Sequence, residues 1–407
     1  DIHYEEAPEK IPADFKNPES TLVVYTAAMP EDHILLQYFR KHGFTIYKRA
    51  QVLGMLTRSS KGLCAAGTHG KTTTSTMTAH LLHQSPVGCD AFLGGISKNY
   101  GTNLLLSDNS AYVVIEADEF DRSFHWLSPY ATIITSTDAD HLDIYGTEEA
   151  YLESFNHYTS LIQPGGSLVI REGIRLQPRL QEGVRLYTYS SESGDFHAEN
   201  IRIGGGEIVF DYVSPLGNIS NVQLGVPVAI NIENGIAAMA LAQLGGVSNE
   251  DIKTGMASFR GVDRRFDFKI KTDKVVYLSD YAHHPEEIKQ SILSMRALYE
   301  GKRLTGIFQP HLYTRTRDFY QEFADSLSLL DEVILTDIYP ARELPIEGVS
   351  SQLIYDNLRP DIDKTLCKKE EVIDILKKKE IEVLMTLGAG DIENYAPQIC
   401  EILNERC

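Results

Sequence analysis

Long apolar runs and an excess of positive charge are both absent from this chain of 407 residues. No stretch reaches the roughly 18 to 20 apolar residues that a membrane-spanning helix requires, so we expect no membrane association. Acidic residues outnumber basic ones by 57 to 38, a formal net charge of -19, whereas nucleic-acid binding depends on basic stripes that neutralise phosphates. The sequence therefore predicts a soluble globular protein that does not bind nucleic acid.

Cysteine is scarce too, and its spacing excludes two common uses of the residue. The five cysteines, at positions 64, 89, 367, 400 and 407, include no C-x-x-C pair of the kind that zinc sites and redox motifs use. No secretory signal precedes them, so we expect reduced thiols and a cytoplasmic location.

Between positions 63 and 76, a short apolar run is followed by a glycine turn with Lys-Thr and then by a polar helix start. This order places backbone N–H groups around an anion, with Lys71 for the outer phosphates of a nucleotide and the Thr72 hydroxyl for Mg²⁺. Ala65 replaces the first glycine of the usual motif, so an ordinary strand-to-helix turn is the competing interpretation. The strand before the turn and the helix after it favour a nucleotide-triphosphate site. Its predicted cofactor-binding residues, called the phosphate loop below, are Gly67, Thr68, His69, Gly70, Lys71, Thr72 and Thr73.

Acidic residues follow two further predicted strands. Glu116 ends one of them, and residues 138–143, which include His141, follow the other. A carboxylate at the end of a second strand can bind Mg²⁺ beside a phosphate loop, and an imidazole is a reasonable ligand for a second divalent ion. Taken alone, each cluster is equally typical of a solvated helix start. Together with the phosphate loop, they favour a metal–nucleotide site.

The alternation of apolar runs predicts an α/β fold with three domains. Residues 1–60 are expected to form a partial Rossmann-like N-terminal domain whose start lies outside the sequence. Residues 61–262 should form a central phosphate-loop ATPase domain with a mostly parallel sheet, and residues 263–407 a C-terminal Rossmann-like domain. Within the central domain, residues 183–224 carry short alternating strands and glycine clusters, so we expect an antiparallel appendage there.

Six motifs in a fixed order resemble those of the Mur ligases and cover nearly the whole chain. They are Gly-Thr-His-Gly-Lys-Thr-Thr-Thr from 67, Glu-Ala-Asp-Glu from 116, Asp-His-Leu-Asp from 140, Asn-x-x-Asn from 231, Arg-Arg-Phe-Asp from 264 and Asp-Tyr-Ala-His-His-Pro from 280. The resemblance implies an ATP-dependent, ADP-forming ligase of peptidoglycan precursor synthesis. It also implies that the three domains bind the UDP substrate, ATP, and the amino acid with nucleotide, in that order.

Within that family, the string Gln-Pro-His-Leu-Tyr-Thr-Arg-Thr-Arg from 309 resembles the member that joins L-alanine to the carboxylate of UDP-N-acetylmuramate. The implied reaction has three steps. The substrate carboxylate attacks the γ-phosphorus of ATP, the amino group of L-alanine attacks the resulting acyl phosphate, and phosphate and ADP leave. We expect a monomer or a homodimer.

The resemblance also implies roles at the phosphates. Lys71 would contact the β- and γ-phosphates, Thr72 and Glu116 would bind a first Mg²⁺, and Glu116 and His141 would bind a second ion. Arg265 would lie near the γ-phosphate. The residues expected to be catalytic are Lys71, Glu116, His141, Arg265 and His283.

Further motif residues are assigned to the nucleoside and to the amino acid. Asn231 and Asn234 would contact the adenine side, although capping of their alanine-rich helix is the alternative, and Asp280 would contact the ribose hydroxyls. In the amino-acid pocket an arginine would pair with the carboxylate and a histidine would lie near the amine. Without the resemblance, the adjacent histidines would be ordinary loop residues, with zinc binding a distant second. The predicted pocket residues are Tyr281, His283, His311 and Arg315.

Four departures from the family pattern weaken particular assignments. Ile230 replaces a histidine, Thr135 is followed by Ser136 in place of asparagine, and Leu312 replaces a common arginine. Carboxylate recognition would therefore depend more heavily on Arg315. No lysine occurs between 98 and 253, so the carbamylated lysine that several relatives use to hold a second metal ion is missing.

Two alternatives stay open. One is a different enzyme: the ligase that recycles murein tripeptide shares the motif at 280, and folylpolyglutamate synthase shares the phosphate loop and the three-domain plan but not that motif. The other is a nucleotide switch that catalyses no ligation and whose acids serve only Mg²⁺. Stimulation of ADP release by a carboxylate and an amine would separate a ligase from a switch.

Overall fold

The computed structural model of the protein describes residues 7–26, 29–139, 142–341 and 343–405. The chain divides into two compact units. The first comprises Asp1–Gly94, Leu104–Phe196 and Ala237–Ser248, and the second comprises Gly95–Asn103, His197–Ile236 and Asn249–Cys407. The three domain boundaries expected from the sequence stay a prediction.

Strands alternate with helices along most of the described chain, which confirms the predicted α/β class. The strands are β1 (Leu22–Tyr25), β2 (Thr45–Lys48), β3 (Lys61–Ala66), β4 (Asp90–Ser97), β5 (Thr102–Leu105), β6 (Tyr112–Ala117), β7 (Ala131–Ile134), β8 (Ser167–Arg171), β9 (Arg185–Tyr189), β10 (His197–Gly204), β11 (Glu207–Val213), β12 (Ile219–Gln223), β13 (Asp267–Lys271), β14 (Val276–Asp280), β15 (Leu304–Phe308), β16 (Glu332–Leu335), β17 (Asp363–Leu366) and β18 (Val383–Leu387). The helices are α1 (Ile34–Lys41), α2 (Arg49–Ser59), α3 (Lys71–His83), α4 (Leu142–Tyr145), α5 (Glu148–Thr159), α6 (Ile230–Leu244), α7 (Asn249–Ser258), α8 (Pro285–Leu298), α9 (Tyr313–Leu327), α10 (Gln352–Asn357), α11 (Val372–Lys377) and α12 (Ala396–Asn404). No helix in the described part of the chain is long and apolar enough to cross a bilayer.

A seven-stranded sheet determines the position of the phosphate loop. Its order is β5-β4-β6-β3-β7-β8-β9, and β3 pairs in parallel with both β6 and β7. Ala66, the last residue of β3, lies opposite Ala117 of β6 and Ile134 of β7. Three carboxyl strand ends therefore meet at the point where the loop begins, which is where open parallel sheets bind ligands.

A six-stranded sheet in the second unit has the order β13-β14-β18-β15-β16-β17 and is parallel except for its edge strand β13. Asp280 at the end of β14 and Phe308 at the end of β15 both lie opposite Leu387 of β18. The loops that follow these strands, which hold the predicted amino-acid pocket, therefore start at the same edge of the sheet.

The apolar strands form the cores of these sheets. All residues of β15, β16 and β18 are buried, as expected for parallel strands covered by helices on both faces. In the seven-stranded sheet, Phe124, Phe155 and Tyr158 are fully buried and pack edge-to-face or stacked with ring centroids 4.7 to 5.1 Å apart. Such rigid packing fixes the strand ends that carry the functional loops.

The predicted antiparallel appendage is only partly correct. β10, β11 and β12 do form a separate antiparallel sheet, but β9 joins the edge of the seven-stranded sheet in parallel with β8. Tyr189 at the end of β9 is buried, whereas Arg185 and Leu186 at the start of this strand are exposed. This half-covered edge produces a pattern that cannot be distinguished from a hairpin strand in the sequence.

Candidate functional site

The phosphate loop has a backbone that only glycine accommodates. Gly67 has a φ of 127°, and a Cβ atom there would lie 2.3 Å from Thr135 Oγ1 and 2.7 Å from the Ser136 nitrogen. Gly70 has a φ of 81° and is the N-cap of α3. The loop therefore turns sharply from β3 into α3, and the helix begins at Lys71, with Thr73 half-buried in its first turn. The first N–H groups of this helix have no partner within it, so they suit an anion.

Residues after β7 hold this loop in place. The Thr135 hydroxyl donates to the Ala66 carbonyl oxygen at 3.0 Å, and the His69 N–H donates to Ser136 Oγ at 2.8 Å. The Thr68 hydroxyl lies 2.6 Å from the Asp138 carbonyl oxygen, to which it donates, and 2.8 Å from the Tyr151 hydroxyl. Thr135, and Ser136 which replaces the asparagine of the family pattern, thus contact the phosphate loop itself.

The Lys71 ammonium is held by three oxygen-bearing groups. Its Nζ donates to the Gly67 carbonyl oxygen at 2.6 Å, to the Thr68 carbonyl oxygen at 3.3 Å and to Glu119 Oε1 at 2.9 Å. An ammonium group has three donors, so all of them are used. An incoming phosphate must therefore replace one of these acceptors or share a donor with it.

Glu119 is the site residue that the sequence analysis missed. Its side chain is 1% exposed, and its Oε2 lies 2.8 Å from Lys71 Nζ. Burial raises the pKa of Glu119, and the charge of Lys71 opposes that rise. The available signal was the second glutamate of the Glu-Ala-Asp-Glu run, but the sequence alone does not show which of the two acids faces the lysine.

Thr72 and Glu116 provide two oxygens for one cation. The Thr72 hydroxyl donates to Glu116 Oε1 at 3.1 Å. These donors suit Mg²⁺, which usually takes one or two protein oxygens and completes its shell with waters and substrate phosphates. Among the described residues, no group of three or more His, Cys, Asp or Glu side chains converges on a metal position. His141, predicted as a ligand of a second ion, lies outside the described residues.

Gly94 of β4 lies directly against the carboxylate of Glu116. A Cβ atom at Gly94 would be 2.1 Å from Glu116 Oε2 and 2.7 Å from its Cδ. Only the end of a flexible side chain would have to move, so the fold should tolerate a methyl group. Glu116 could then no longer hold its position beside Thr72.

We therefore expect Gly94→Ala to lower activity at limiting Mg²⁺ by about 10- to 100-fold, the usual effect of disturbing the support of a metal ligand. Activity should recover in part as Mg²⁺ is raised. Initial rates over a Mg²⁺ titration, with thermal melting as a check on folding, measure this. A normal Mg²⁺ dependence in a folded variant would show that Glu116 does not bind the ion.

A cavity of about 180 Å³ lies beside Glu116 in the first unit. Its walls carry both signs of charge, with Lys48 from the end of β2, Arg49 from the start of α2 and Asp118 from just after β6. Phe124 provides an apolar wall. Lys48 also forms an ion pair with Asp121 at 2.7 Å, so Arg49 is the more available cation.

Asn231 and Asn234 contact each other in the first turn of α6. The Asn231 amide donates to the Val226 carbonyl oxygen at 3.2 Å, and the Asn234 amide donates to Asn231 Oδ1 at 3.1 Å. Both residues are buried. In both bonds an amide nitrogen donates, whereas a helix cap accepts a backbone N–H. These bonds therefore decide neither for capping nor for the adenine contact, which stays a prediction.

Arg265 and Asp280 lie around Tyr281 in the second unit. The guanidinium carbons of Arg264 and Arg265 lie 4.7 and 5.1 Å from the centre of the Tyr281 ring, within cation–π range. Asp280 accepts hydrogen bonds from the Phe266 N–H and from the Ser291 hydroxyl. Burial raises the pKa of Asp280, and these bonds oppose that rise.

His283 and His311 form the centre of a second cluster. Their ring centroids lie 6.0 Å apart, and His311 stacks on Tyr339 at 5.8 Å. Burial, then His283 and Arg315, lower the pKa of His311 to about 4. Burial is also the main cause that lowers the pKa of His283, although Glu287 opposes it. Both imidazoles are therefore neutral at pH 7, and one of them can accept a proton.

Arg315 stands in the first turn of α9, beside these histidines. Among the described residues, its guanidinium makes no hydrogen bond and no ion pair. Leu312, the N-cap of α9, has a φ of 71°, a conformation that is costly for a leucine and typical of functional sites. The Leu312 N–H donates to the Tyr339 carbonyl oxygen at 3.0 Å, which fixes the turn that presents Arg315.

Comparison with known proteins identifies the family of the chain. The model of the Mur ligase middle domain matches residues 65–242, and that of the Mur ligase glutamate ligase domain matches residues 264–392. The chain belongs to the Mur ligase family. A relative from Phocaeicola vulgatus, called UDP-N-acetylmuramate--L-alanine ligase, is 76% identical over 405 residues, which cover 100% of this chain and 88% of the relative.

Two further relatives of this Mur ligase carry the same or an equivalent name. A UDP-N-acetylmuramate--L-alanine ligase from Parabacteroides distasonis is 63% identical over 404 residues, which cover 99% of the chain and 87% of the relative. The crystal structure of a UDP-N-acetylmuramate-alanine ligase from Thermotoga maritima aligns with a TM-score of 0.79 at 26% identity, covering 95% of this chain and 86% of that one. The resemblance inferred from six motifs is thus confirmed.

Proposed function

We propose that the protein joins L-alanine to the carboxylate of UDP-N-acetylmuramate, with conversion of ATP to ADP and phosphate. The amino-acid half of the proposal rests on one observation, the position of Arg315. In the described part of the chain this cation has no anionic partner, and it lies beside two histidines that are neutral at pH 7. An α-amino acid presents a carboxylate and an amine that match these groups. The names of the relatives support the same substrates.

In this mechanism the chain's own residues stabilise charge. Lys71 and the N-terminus of α3 neutralise the phosphates, so that the substrate carboxylate can approach the γ-phosphorus. Thr72 and Glu116 would hold Mg²⁺, which would supply further positive charge at the phosphate oxygens. Arg49 at the charged cavity would bind an anionic group of the UDP substrate. Phosphorylation gives the carboxyl group a leaving group, and a neutral His283 takes a proton from the amine as it attacks.

The remaining assignments belong to the same proposal. Asn231 and Asn234 contact adenine, Arg265 the γ-phosphate region and Asp280 the ribose, while Tyr281 forms a wall of the pocket with His311. Glu116 and His141 would hold a second divalent ion. The enzyme acts in the cytoplasm as a monomer or a homodimer, with residues 1–60, 61–262 and 263–407 as its three domains.

The acyl phosphate can be tested by isotope transfer. With UDP-N-acetylmuramate labelled with oxygen-18 in its carboxylate, we expect label in the released inorganic phosphate, because one carboxylate oxygen leaves with it. Mass spectrometry of phosphate and ADP formed in a single turnover measures the transfer. Unlabelled phosphate from a productive reaction would exclude this intermediate.

The accepted amine is tested by ADP formation with a panel of amino acids. L-Alanine should be the best acceptor, and serine and glycine should be poorer by roughly 1 to 3 kcal/mol, the usual effect of one small group in a tight site. Faster turnover of the tripeptide L-Ala-D-Glu-diaminopimelate would identify the recycling ligase instead. ADP release that no carboxylate or amine stimulates would favour a nucleotide switch.

A further inference from the structure

One buried carboxylate neutralises the lysine of the phosphate loop. The two oxygens of Glu119 lie 2.9 and 2.8 Å from Lys71 Nζ. The Lys71 side chain is 13% exposed and the Glu119 side chain 1% exposed, so solvent screens this pair far less than it screens a surface pair. The position that Glu119 occupies next to the ammonium is also a position that suits a phosphate oxygen.

The backbone around Glu119 is fixed by its own contacts. The Tyr145 hydroxyl and the Arg122 N–H both donate to the Glu119 carbonyl oxygen, at 2.5 and 3.0 Å. Asp121 and Arg122 have φ values of 52° and 53°, which are unfavourable for L-residues and persist only where other contacts hold them. Arg122 packs 4.7 Å over the Tyr145 ring, and Asp121 pairs with Lys48. The carboxylate is therefore held against Lys71 by a constrained segment.

We propose that Glu119 is the counter-ion of Lys71 when no nucleotide is bound: it positions the ammonium group and competes with the phosphates of the nucleotide for it. This inference rests on the proposed nucleotide site at the phosphate loop. An anion that binds Lys71 gains less when the lysine already has a buried partner, and it is repelled by that partner's charge. Glu119 therefore lowers the affinity for polyphosphates and favours release of ADP.

Glu119→Gln tests the proposal because it should tighten nucleotide binding, whereas damage to the site would weaken it. The variant keeps the size of the side chain and a carbonyl oxygen for Lys71 but loses the negative charge. We expect ADP and a non-hydrolysable ATP analogue to bind roughly tenfold more tightly than to the wild type, which corresponds to about 1.4 kcal/mol. Isothermal titration calorimetry measures both. A merely structural role of Glu119 predicts weaker binding.

Two variants serve as controls. Glu153→Gln makes the same substitution on α5, where the carboxylate pairs with Arg179 and is 54% exposed, so its nucleotide affinity should stay at the wild-type value. Glu119→Asp keeps the charge and should retain the weaker binding. Equal or weaker binding by Glu119→Gln, or equal tightening by Glu153→Gln, overturns the inference. If the wild type itself binds neither nucleotide, the proposed function fails instead.

Discussion

Lys71→Ala should lower turnover by at least ~10³, the range found when one preorganised charge contact to a developing anion is removed. Lys71 is the cation that the proposed mechanism assigns to the phosphates, and its Nζ is already fixed by the Gly67 and Thr68 carbonyl oxygens. Single-turnover measurement of ADP formation separates the chemical step from product release. Near-normal turnover would contradict the assignment of the phosphate loop.

The same substitution should also destabilise the protein, because it leaves the buried carboxylate of Glu119 without its partner. Breaking a buried ion pair from one side usually costs about 3 to 5 kcal/mol. The double variant Lys71→Ala with Glu119→Gln should recover most of that stability and none of the turnover. Chemical unfolding of the four members of this cycle provides the measurement. If turnover recovered together with stability, the loss in the single variant would reflect folding and not catalysis.

The position of the phosphate loop could be predicted because few residues satisfy its backbone. Gly67 and Gly70 both have positive φ values, and they stand between an apolar run and a polar helix start that are visible in the sequence. The α/β class followed from the same alternation. Strand ends could also be located, since Glu116 and Asp280 each lie at or near the last residue of an apolar run.

Side-chain partners within the site could not be predicted from the sequence. Glu116 and Glu119 are three positions apart in one acidic run, yet the first contacts Thr72 and the second contacts Lys71. The turn that follows Glu119 contains two residues with positive φ that are not glycine, Asp121 and Arg122, and no sequence pattern marks these. Leu312 is a similar case, because its left-handed backbone depends on contacts with Tyr339 that are distant in sequence.

Departures from a family pattern gain a physical meaning once their contacts are known. Ser136 accepts the His69 N–H and its carbonyl oxygen accepts the Thr68 N–H, so a residue that replaces asparagine in the motif supports the loop. Leu312 replaces an arginine and contributes no charge to the pocket of His283 and His311. Among the described cations near that pocket, Arg315 acts on both histidines, and the proposed mechanism assigns the carboxylate of the amino acid to it.

Arg315→Ala should therefore raise the KM for L-alanine by about 100-fold, or about 2.7 kcal/mol, which lies within the roughly 2 to 5 kcal/mol that truncation of a hydrogen-bonded charge pair costs. The KM for ATP and kcat should change little, because a carboxylate contact of this kind is made equally in the ground and transition states. Since Arg315 is one of the charges that lower the pKa of His311, its removal should also raise that pKa above about 4, which NMR titration can detect.

Arg317→Ala provides the matched control for this prediction. Arg317 lies two positions further along α9, is exposed and pairs with Asp318 at 2.7 Å, so its removal changes the net charge by the same amount without touching the pocket. We expect its KM for L-alanine to stay within about twofold of the wild type, as for most exposed ion pairs. An equal rise in both variants would mean that the pocket recognises overall charge, and a fall in kcat alone in Arg315→Ala would place the guanidinium at the reacting atoms rather than at the carboxylate of alanine.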